Sequence, residues 1–315
     1  MCRTAWHARR PVRTCRDGTS MNSAAPNQES RLLNLGCGRH FHADWLNVDL
    51  VACDPHVMQA DLTRGVPFPE GRFDAVYHSH VLEHLDQEAG RSFLRECHRV
   101  LSPGGVLRVA VPDVEQIARQ YLVALEEAVA GTPESGDRHA WMKLELLDQL
   151  VRTESGGRMG VAMRDANDRQ RAFISQRMGG EMFGAKPAAT VAPRRESWWR
   201  RRQRRFARLR DRLVNSLIKR LYGDAAVSAW EEARFRGRGE IHRWMYDRFD
   251  LAALLTELGF VDVRVVGAQE SAIENFASFG LDAQDGQTRK PDSLFIEARK
   301  PAAALQQRTD RRQAA

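Results

Sequence analysis

The chain has 315 residues, a net charge of +7 and a pI near 9.5. This length suits one large domain or two small ones, and no apolar run reaches the about 18 residues that a membrane-spanning helix needs. The five cysteines are odd in number and irregularly spaced, which argues against a disulfide framework and favours a reducing cytoplasm.

Residues 1–30 are rich in arginine and lack the apolar segment of a secretory signal. We expect a disordered basic arm here. Met21 is a candidate start, because the first fold signal begins only at Arg31. A mitochondrial-type leader is the alternative, although the arm contains no clear amphipathic helix.

The stretch from Arg31 to Asp49 is the first strong signal. Apolar residues at 32–35 lead into Gly36-Cys37-Gly38, and a second apolar run ends at Asp49. This pattern is typical of a buried strand, a tight glycine turn and a second strand closed by a carboxylate. Glycine permits a sharp turn and the close approach of a ligand, and the carboxylate can accept hydrogen bonds from a ribose. The stretch therefore indicates a nucleotide-like ligand.

Strands and helices alternate through the next part of the chain. We predict strands at 58–60, 73–77 and 106–111, helices at 79–85 and 88–101, and a turn at 102–105. Such alternation favours a parallel, doubly wound sheet, in which ligands bind at the carboxyl ends of the strands. The residues expected to converge there are Gly36–Gly38, Asp49, Asp61 and Tyr77–His80.

The middle of the chain lacks this alternation of strands and helices. Residues 113–150 are predicted to be helical with a break near 131–136, and residues 153–193 to form an irregular, lid-like insertion. Arg194–Arg220 then contains twelve Lys or Arg and two acids, a net charge of +10. Its apolar residues recur at helical spacing after a tryptophan pair, which predicts a basic amphipathic helix.

This basic helix has three interpretations. It could lie on an anionic membrane surface, bind RNA through its arginines, or pack its apolar stripe on the domain. The continuous stripe favours a membrane over RNA. The core pattern resumes after 240, with a helix at 250–258 that we expect Asp250 to cap, and strands at 260–266 and 293–298.

Several segments taken together resemble one family. LNLGCG, NVD, ADLTRGVPFPEGRFDAVYHSHVLEHL and RECHRVLSPGGVLRVAVPD are similar to the class I S-adenosylmethionine (SAM)-dependent methyltransferases of type 11. The closest likeness is to a bacterial subgroup associated with cell-envelope and polysaccharide genes. The resemblance covers residues 31–122 and 242–301. It implies an α/β fold with a Rossmann-like, mostly parallel sheet of seven strands, the last one antiparallel, and an inserted helical region.

The spacing of the glycine turn separates this family from NAD-binding proteins. Only twelve residues lie between Gly36 and Asp49, and a third glycine is missing. A dinucleotide-binding motif needs about 20 residues and that third glycine. We therefore expect SAM rather than NAD, with the first helix of the fold shortened to a turn.

The resemblance also implies an organisation of the chain. We expect a disordered arm at 1–30, the SAM-binding core at 31–125, a helical or irregular insertion at 126–240 with the basic helix at 196–222, the C-terminal part of the core at 241–300, and a disordered tail at 301–315.

The cofactor-binding roles follow from the resemblance, residue by residue. Gly36, Cys37 and Gly38 would pack against the aminocarboxypropyl and ribose groups of SAM, Asp49 would hold the ribose hydroxyls, Asp61 and Leu62 would contact the adenine, and His78 and Ser79 would line the methionine end. A helix-capping or turn role is the alternative for Asp61 and, less so, for Asp49.

Methyl transfer to a hydroxyl requires alignment and removal of a proton. His80 is the first candidate base, followed by His242 and Asp247, while residues 244–246 are candidates for an acceptor pocket or for a packed helix entrance. Several histidines lie near the predicted crevice, but none has an acidic or cysteine partner at metal-ligand spacing, so we expect no metal.

The predicted protein is thus a cytoplasmic SAM-dependent methyltransferase, with peripheral attachment to the inner face of the membrane as an option. Its acceptor would be a small molecule, a sugar or a lipid-linked glycan, methylated on oxygen. The alternatives are an RNA or protein methyltransferase and a SAM-binding regulatory protein without catalysis. A NAD-dependent dehydrogenase is a distant further alternative.

Overall fold

The fold was derived from a computed structural model that describes residues 26–180, 183, 198–237 and 239–302. The predicted arm, up to residue 25, and the predicted tail beyond 302 lie outside the described residues. The same holds for most of 181–197, where the start of the predicted basic segment falls.

Seven strands form the central sheet: β1 Leu32–Leu35, β2 Leu46–Asp49, β3 Val57–Gln59, β4 Phe73–Ser79, β5 Leu101–Pro112, β6 Val261–Val265 and β9 Ser293–Arg299. Their order is β3-β2-β1-β4-β5-β9-β6. Strand β9 runs antiparallel to both of its neighbours, and the other pairings are parallel. The mostly parallel, seven-stranded sheet with an antiparallel last strand is therefore confirmed. A short hairpin, β7 Ala283–Gln284 and β8 Gln287–Thr288, precedes β9.

Within the described residues, eight helices surround or extend from this sheet: α1 Gln87–Val100, α2 Val114–Val129, α3 Ser135–Val151, α4 Gly157–Asp165, α5 Asp168–Met178, α6 Trp198–Tyr222, α7 Asp224–Arg236 and α8 Arg248–Glu257. Apolar residues of α1 and α8, among them Leu94 and Leu251, pack with the strands in the main core. Trp45 and Tyr77 belong to a second cluster. Helices α2 to α5 share a separate cluster around Trp141 and Ile174.

The connection between β1 and β2 contains turns but no helix, so the expected shortening of the first helix is confirmed. Two neighbouring predictions are wrong. The segment 79–85 is not a helix, because β4 continues to Ser79, His80 takes a positive φ of 54°, and only a single 3-10 turn follows at Leu82–His84. The turn predicted at 102–105 is instead a bulge within β5, where the pairing shifts from Phe73–Leu101 to Ala75–Val106.

The described part of the predicted irregular insertion is helical, because α4 and α5 cover most of 157–178. Asn167 and Gln170 form a reciprocal capping box at the start of α5, a signal that the Gly- and Arg-rich composition had concealed. Helix α8 begins earlier than predicted. Asp247, not Asp250, is its N-cap, and its carboxylate accepts hydrogen bonds from the backbone N–H groups of Phe249 and Asp250 at 2.8 Å each.

Helix α6 is the predicted basic amphipathic helix, and it lies beside α7. Five residues of its predicted apolar stripe are 54–63% exposed: Phe206, Leu209, Leu213, Leu217 and Leu221. The interpretation that this stripe packs on the domain is therefore wrong for these five side chains. In the described part of the chain, no helix combines the length and the apolar character needed to cross a bilayer.

Candidate active site

The glycine turn after β1 is held against the end of β2. The N–H groups of Gly36 and Cys37 both donate to the carbonyl of Val48, at 2.8 and 3.2 Å. Gly36 has a φ of +67°, and a Cβ at this position would lie 2.3 Å from a methyl carbon of Val81. Gly38 has a φ of +56° but open space where its Cβ would be. Conformation alone favours glycine at 38, whereas both conformation and packing require it at 36.

Asp49 lies half-buried at the carboxyl end of β2, as predicted. Its Oδ2 accepts a hydrogen bond from the N–H of Gly38 at 2.8 Å, and its Oδ1 accepts one from the N–H of Val51 at 3.0 Å. An ionised carboxylate has about four acceptor positions. Asp49 is therefore fixed by the backbone and still has lone pairs for the two hydroxyls of a ribose.

Asp61 caps the 3-10 turn Leu62–Arg64. Its Oδ1 accepts from the N–H of Thr63 at 3.1 Å and from the Thr63 hydroxyl at 2.6 Å. This is the capping role weighed as the alternative for Asp61. Leu62 is half-buried and packs against the main core. The adenine contacts of these two residues stay predictions.

Cys37 lies inside the glycine turn with its thiol buried. Burial, followed by the nearby Asp49 carboxylate, raises the pKa of this thiol to about 12. The thiol is neutral at physiological pH, so Cys37 offers a small apolar contact rather than a nucleophile.

A cavity of about 190 Å³ opens at the carboxyl ends of β1 and β4. Gly36–Gly38, Ser79 and His80 line one side of it, and Lys290 and Ser293 line the other. Asp49 and Asp61 lie outside this lining. The cavity is therefore bordered by the glycine turn, Ser79 and His80, whose roles toward a ligand stay predictions.

His80 lies between two polar partners in the wall of this cavity. Its Nδ1 is 3.0 Å from Oε1 of Glu83, and its Nε2 is 2.9 Å from the hydroxyl oxygen of Ser293. Glu83 is fully buried. Burial alone would raise its pKa, but His80, His84 and His242 lower the pKa to about 2, so the carboxylate is charged. Ser293 was not predicted as a site residue, because it lies 213 residues from His80 and no local sequence pattern marks it.

His78 lies outside the cavity, contrary to the prediction that it faces the methionine end with Ser79. Successive residues of a strand point to opposite faces, so Ser79 lines the cavity while the His78 ring packs edge-on against Phe93, with centroids 5.0 Å apart. His78 is fully buried, and burial lowers its pKa to about 4. It is a neutral core residue.

The other two candidate bases also lie outside the cavity lining. His242 is buried, its Nδ1 lies 3.3 Å from the sulfur of Met245, and burial lowers its pKa to about 3. The Asp247 carboxylate is engaged at the start of α8. Among the three candidates, His80 alone borders the cavity.

A buried arginine that the sequence analysis missed supports the opposite wall of the cavity. Arg108 on β5 is fully buried and donates to Asp282 at 2.7 Å and to Glu297 at 2.9 Å. Asp282, which lines the cavity, also accepts a hydrogen bond of 2.5 Å from the Tyr77 hydroxyl. These contacts hold the segment before β9 against the sheet.

Comparison with known proteins points to the same part of the chain. Residues 33–109 match a family model described as "Methyltransferase domain". A probable S-adenosylmethionine-dependent methyltransferase of Mycobacterium tuberculosis H37Rv is 33% identical over 100 residues, which cover 26% of this chain and 35% of the relative. A similarly named protein of Mycolicibacterium smegmatis is 34% identical over 100 residues, covering 26% and 38%. The chain spans little more than a third of either relative's length.

Similar solved structures are more distant in sequence. A SAM-dependent methyltransferase from Archaeoglobus fulgidus is 13% identical, with 87% of each chain covered and a TM-score of 0.35. The 1,6-didemethyltoxoflavin-N1-methyltransferase of Burkholderia thailandensis, solved with S-adenosylhomocysteine, is 12% identical, with 86% of this chain and 70% of the other covered and a TM-score of 0.33. At such scores nothing about the site is transferred from them.

Proposed function

We propose that this chain, whose residues 33–109 match the methyltransferase domain family, is a SAM-dependent methyltransferase that acts on a hydroxyl group. The proposal rests on one observation above all. A histidine in the cavity wall, His80, is held between a buried charged carboxylate and a hydroxyl group. This arrangement suits a general base, and it lies beside a glycine turn suited to a nucleoside.

The residues of the turn fit SAM. Gly38 leaves open space on the side where a Cβ would point, so a ligand can approach the backbone closely. Asp49 is fixed by two backbone N–H groups and retains acceptor positions for ribose hydroxyls. SAM, when bound, supplies the activated methyl group. The neutral Cys37 thiol adds contact area without offering a competing nucleophile.

His80 is suited to take a proton from an acceptor hydroxyl. Because Glu83 is charged and can only accept, it favours the tautomer with the proton on Nδ1 of His80. Nε2 then carries the free lone pair, directed to the Ser293 hydroxyl. An acceptor hydroxyl that enters the cavity beside Ser293 could pass its proton to this nitrogen. Glu83 thus positions the base, and Ser293 marks where a hydroxyl can bind.

Binding and catalysis can be tested separately. We expect SAM and S-adenosylhomocysteine, but not NAD, to raise the melting temperature, and Asp49→Ala to abolish this shift. With a broad panel of hydroxylated small molecules and sugars, we expect release of S-adenosylhomocysteine. His80→Gln should retain the thermal shift and lower kcat by about 10²- to 10⁴-fold.

Each contrary outcome has a defined meaning. Stabilisation by NAD alone would overturn the cofactor assignment. Stabilisation by SAM without turnover of any acceptor would favour a regulatory SAM-binding protein. A turnover rate that is unaffected by His80→Gln would exclude His80 as the catalytic base.

We also propose that helix α6 docks on an anionic membrane, which would bring the cavity to a lipid-linked glycan. Its exposed apolar stripe runs from Phe206 to Leu221, and the overlapping segment Arg194–Arg220 has a net charge of +10. Apolar side chains along one face, combined with many arginines, suit the interface of an anionic bilayer. RNA would contact the arginines but would not need the apolar stripe.

Cosedimentation with vesicles tests this docking. We expect binding to vesicles that contain anionic phospholipid, and not to vesicles of neutral phospholipid alone. Leu213→Glu with Leu217→Glu should abolish binding. Val129→Glu, which changes an 81% exposed valine on α2, is the matched control and should not alter it. Vesicle binding that survives the double substitution, or equal binding to neutral vesicles, would contradict membrane docking.

A further inference from the structure

We propose that Glu83, His84 and His242 form a binding site for a divalent first-row transition-metal ion such as Zn²⁺. One ligand atom from each of these residues lies within 4.8 Å of the other two. Two imidazoles and one carboxylate are a ligand set found in zinc and non-haem iron sites. The proposal goes beyond the methyltransferase assignment and does not depend on it.

The carboxylate of Glu83 is the first reason. The side chain is fully buried, and within the described part of the chain neither of its oxygens accepts a hydrogen bond of good geometry. Buried charges in proteins are normally paired, hydrogen-bonded or bound to metals. His80 lies 3.0 Å from Oε1, which leaves Oε2 for another positive partner.

The two imidazoles are the second reason. Nδ1 of His84 is 3.1 Å from the carbonyl oxygen of Ile241. A carbonyl can only accept, so this contact assigns the proton to Nδ1 and leaves the lone pair of Nε2 for a metal. Nδ1 of His242 is 3.3 Å from the sulfur of Met245, a weak acceptor, which favours the same tautomer. The two rings lie 5.0 Å apart, edge to face.

The backbone already holds the ligands together. The N–H groups of Arg243 and Trp244 donate to the carbonyl of Glu83, at 2.7 and 3.3 Å, and the N–H of His242 donates to the carbonyl of Gln149 at 2.9 Å. Ligand atoms in a tetrahedral site with bonds of about 2.1 Å are about 3.4 Å apart. The ligand atoms, which lie within 4.8 Å of one another, therefore need to approach by at most about 1.4 Å to enclose an ion.

An ion at this position would connect two parts of the fold. Glu83 and His84 follow β4, whereas His242 lies between α7 and α8. The ion would fix the junction between the inserted helices and the core. It would also lie next to His80 and so support one wall of the cavity. We expected no metal from the sequence because no histidine near the predicted crevice has an acidic or cysteine partner at metal-ligand spacing. His242 lies 158 positions after His84, so the sequence shows no local metal-binding pattern.

Metal uptake by the full-length protein tests this site. After treatment with a chelator, we expect the protein to bind one Zn²⁺ per chain in equilibrium dialysis, with a higher melting temperature. Co²⁺ should bind at the same stoichiometry and give visible absorption bands. Glu83→Gln and His242→Ala should each weaken binding by at least about 100-fold, since even changes outside the direct ligand set cost 10- to 100-fold.

The matched control is His56→Gln. His56 is half-exposed and lies near the exposed Cys53, so it represents adventitious surface binding. We expect this variant to bind as the wild type does. Absence of stoichiometric Zn²⁺ and Co²⁺ uptake by the wild-type protein would overturn the proposal, whatever the folding of the variants. Unchanged affinity in His242→Ala, or lost binding in His56→Gln, would also overturn it. None of these readouts requires methyl transfer.

Discussion

Gly36→Ala should destabilise the protein strongly, because it combines two costs. The residue has a φ of +67°, and the added Cβ would lie 2.3 Å from a methyl carbon of Val81. Left-handed backbone costs a non-glycine residue about 1–2 kcal/mol. Forcing an extra carbon into a filled space costs about 1–3 kcal/mol. The sum predicts a loss of about 2–5 kcal/mol in the free energy of unfolding.

Gly38→Ala is the matched control for the backbone term. Gly38 has a φ of +56° but no atom within 4 Å of its added Cβ, so only the conformational cost of about 1–2 kcal/mol applies. Val81→Ala removes the methyl group that causes the overlap at Gly36. A double-mutant cycle of Gly36→Ala with Val81→Ala should therefore recover the packing term, about 1–3 kcal/mol.

The measurement is urea unfolding of the four proteins in the cycle and of Gly38→Ala, followed by both circular dichroism and tryptophan fluorescence. We also expect Gly36→Ala to reduce the thermal shift caused by SAM, with partial recovery in the double variant. The reasoning is refuted if the coupling energy is below about 0.5 kcal/mol, the usual limit of additivity for independent sites, or if Gly36→Ala is no more destabilising than Gly38→Ala.

Three further predictions concern stability and the role of an acid. Arg108→Met should lower the free energy of unfolding by about 3–5 kcal/mol, because it removes the buried cation that is paired with both Asp282 and Glu297; urea unfolding measures this. Burial alone would raise the pKa of Glu297, but Ser271, the N–H of Ala272 and Arg108 together lower it. Its stabilisation is therefore complete above the unfolded pKa of about 4.3 and is lost as the pH falls through the lower folded value, so Glu297→Gln should flatten the acid limb of the melting temperature against pH. Asp247→Ala should lower the free energy of unfolding by about 0.5–2 kcal/mol and Asp247→Ser by much less, and neither should change kcat. A fall in kcat for both variants would support Asp247 as a catalytic base.

Local signals were sufficient to place the glycine turn and Asp49 at one edge of the sheet. The glycine turn and Asp49 lie in one short stretch, and the buried strand before them fixes which sheet edge they occupy. Strand periodicity and turn residues determine such features over a few positions. The same kind of signal placed Ser79 near the carboxyl end of β4, although the predicted strand ended at Tyr77 and β4 continues to Ser79.

Contacts between distant segments could not be predicted from the sequence. Ser293 reaches His80 across 213 residues, and Arg108 reaches Asp282 across 174. His78 shows a different limit. Its neighbour Ser79 faces the cavity, and successive side chains of a strand point to opposite faces. Only the position of α1 decides which of the two side chains is buried. The N-cap of α8 was predicted at Asp250 instead of Asp247. Both aspartates lie shortly before apolar residues, so the sequence did not distinguish them.

The position of β9 determines the stage of protein synthesis at which the complete site can form. This strand is inserted between β5 and β6, and its first residue supplies the hydroxyl beside His80. During synthesis, the glycine turn and Asp49 leave the ribosome some 250 residues before Ser293, a separation that follows from their positions in the chain. Segments made first can fold first. A nascent chain could thus form the glycine turn and position Asp49 before Ser293 is in place beside His80. Under the proposed function, recognition of the cofactor would then precede competence for chemistry.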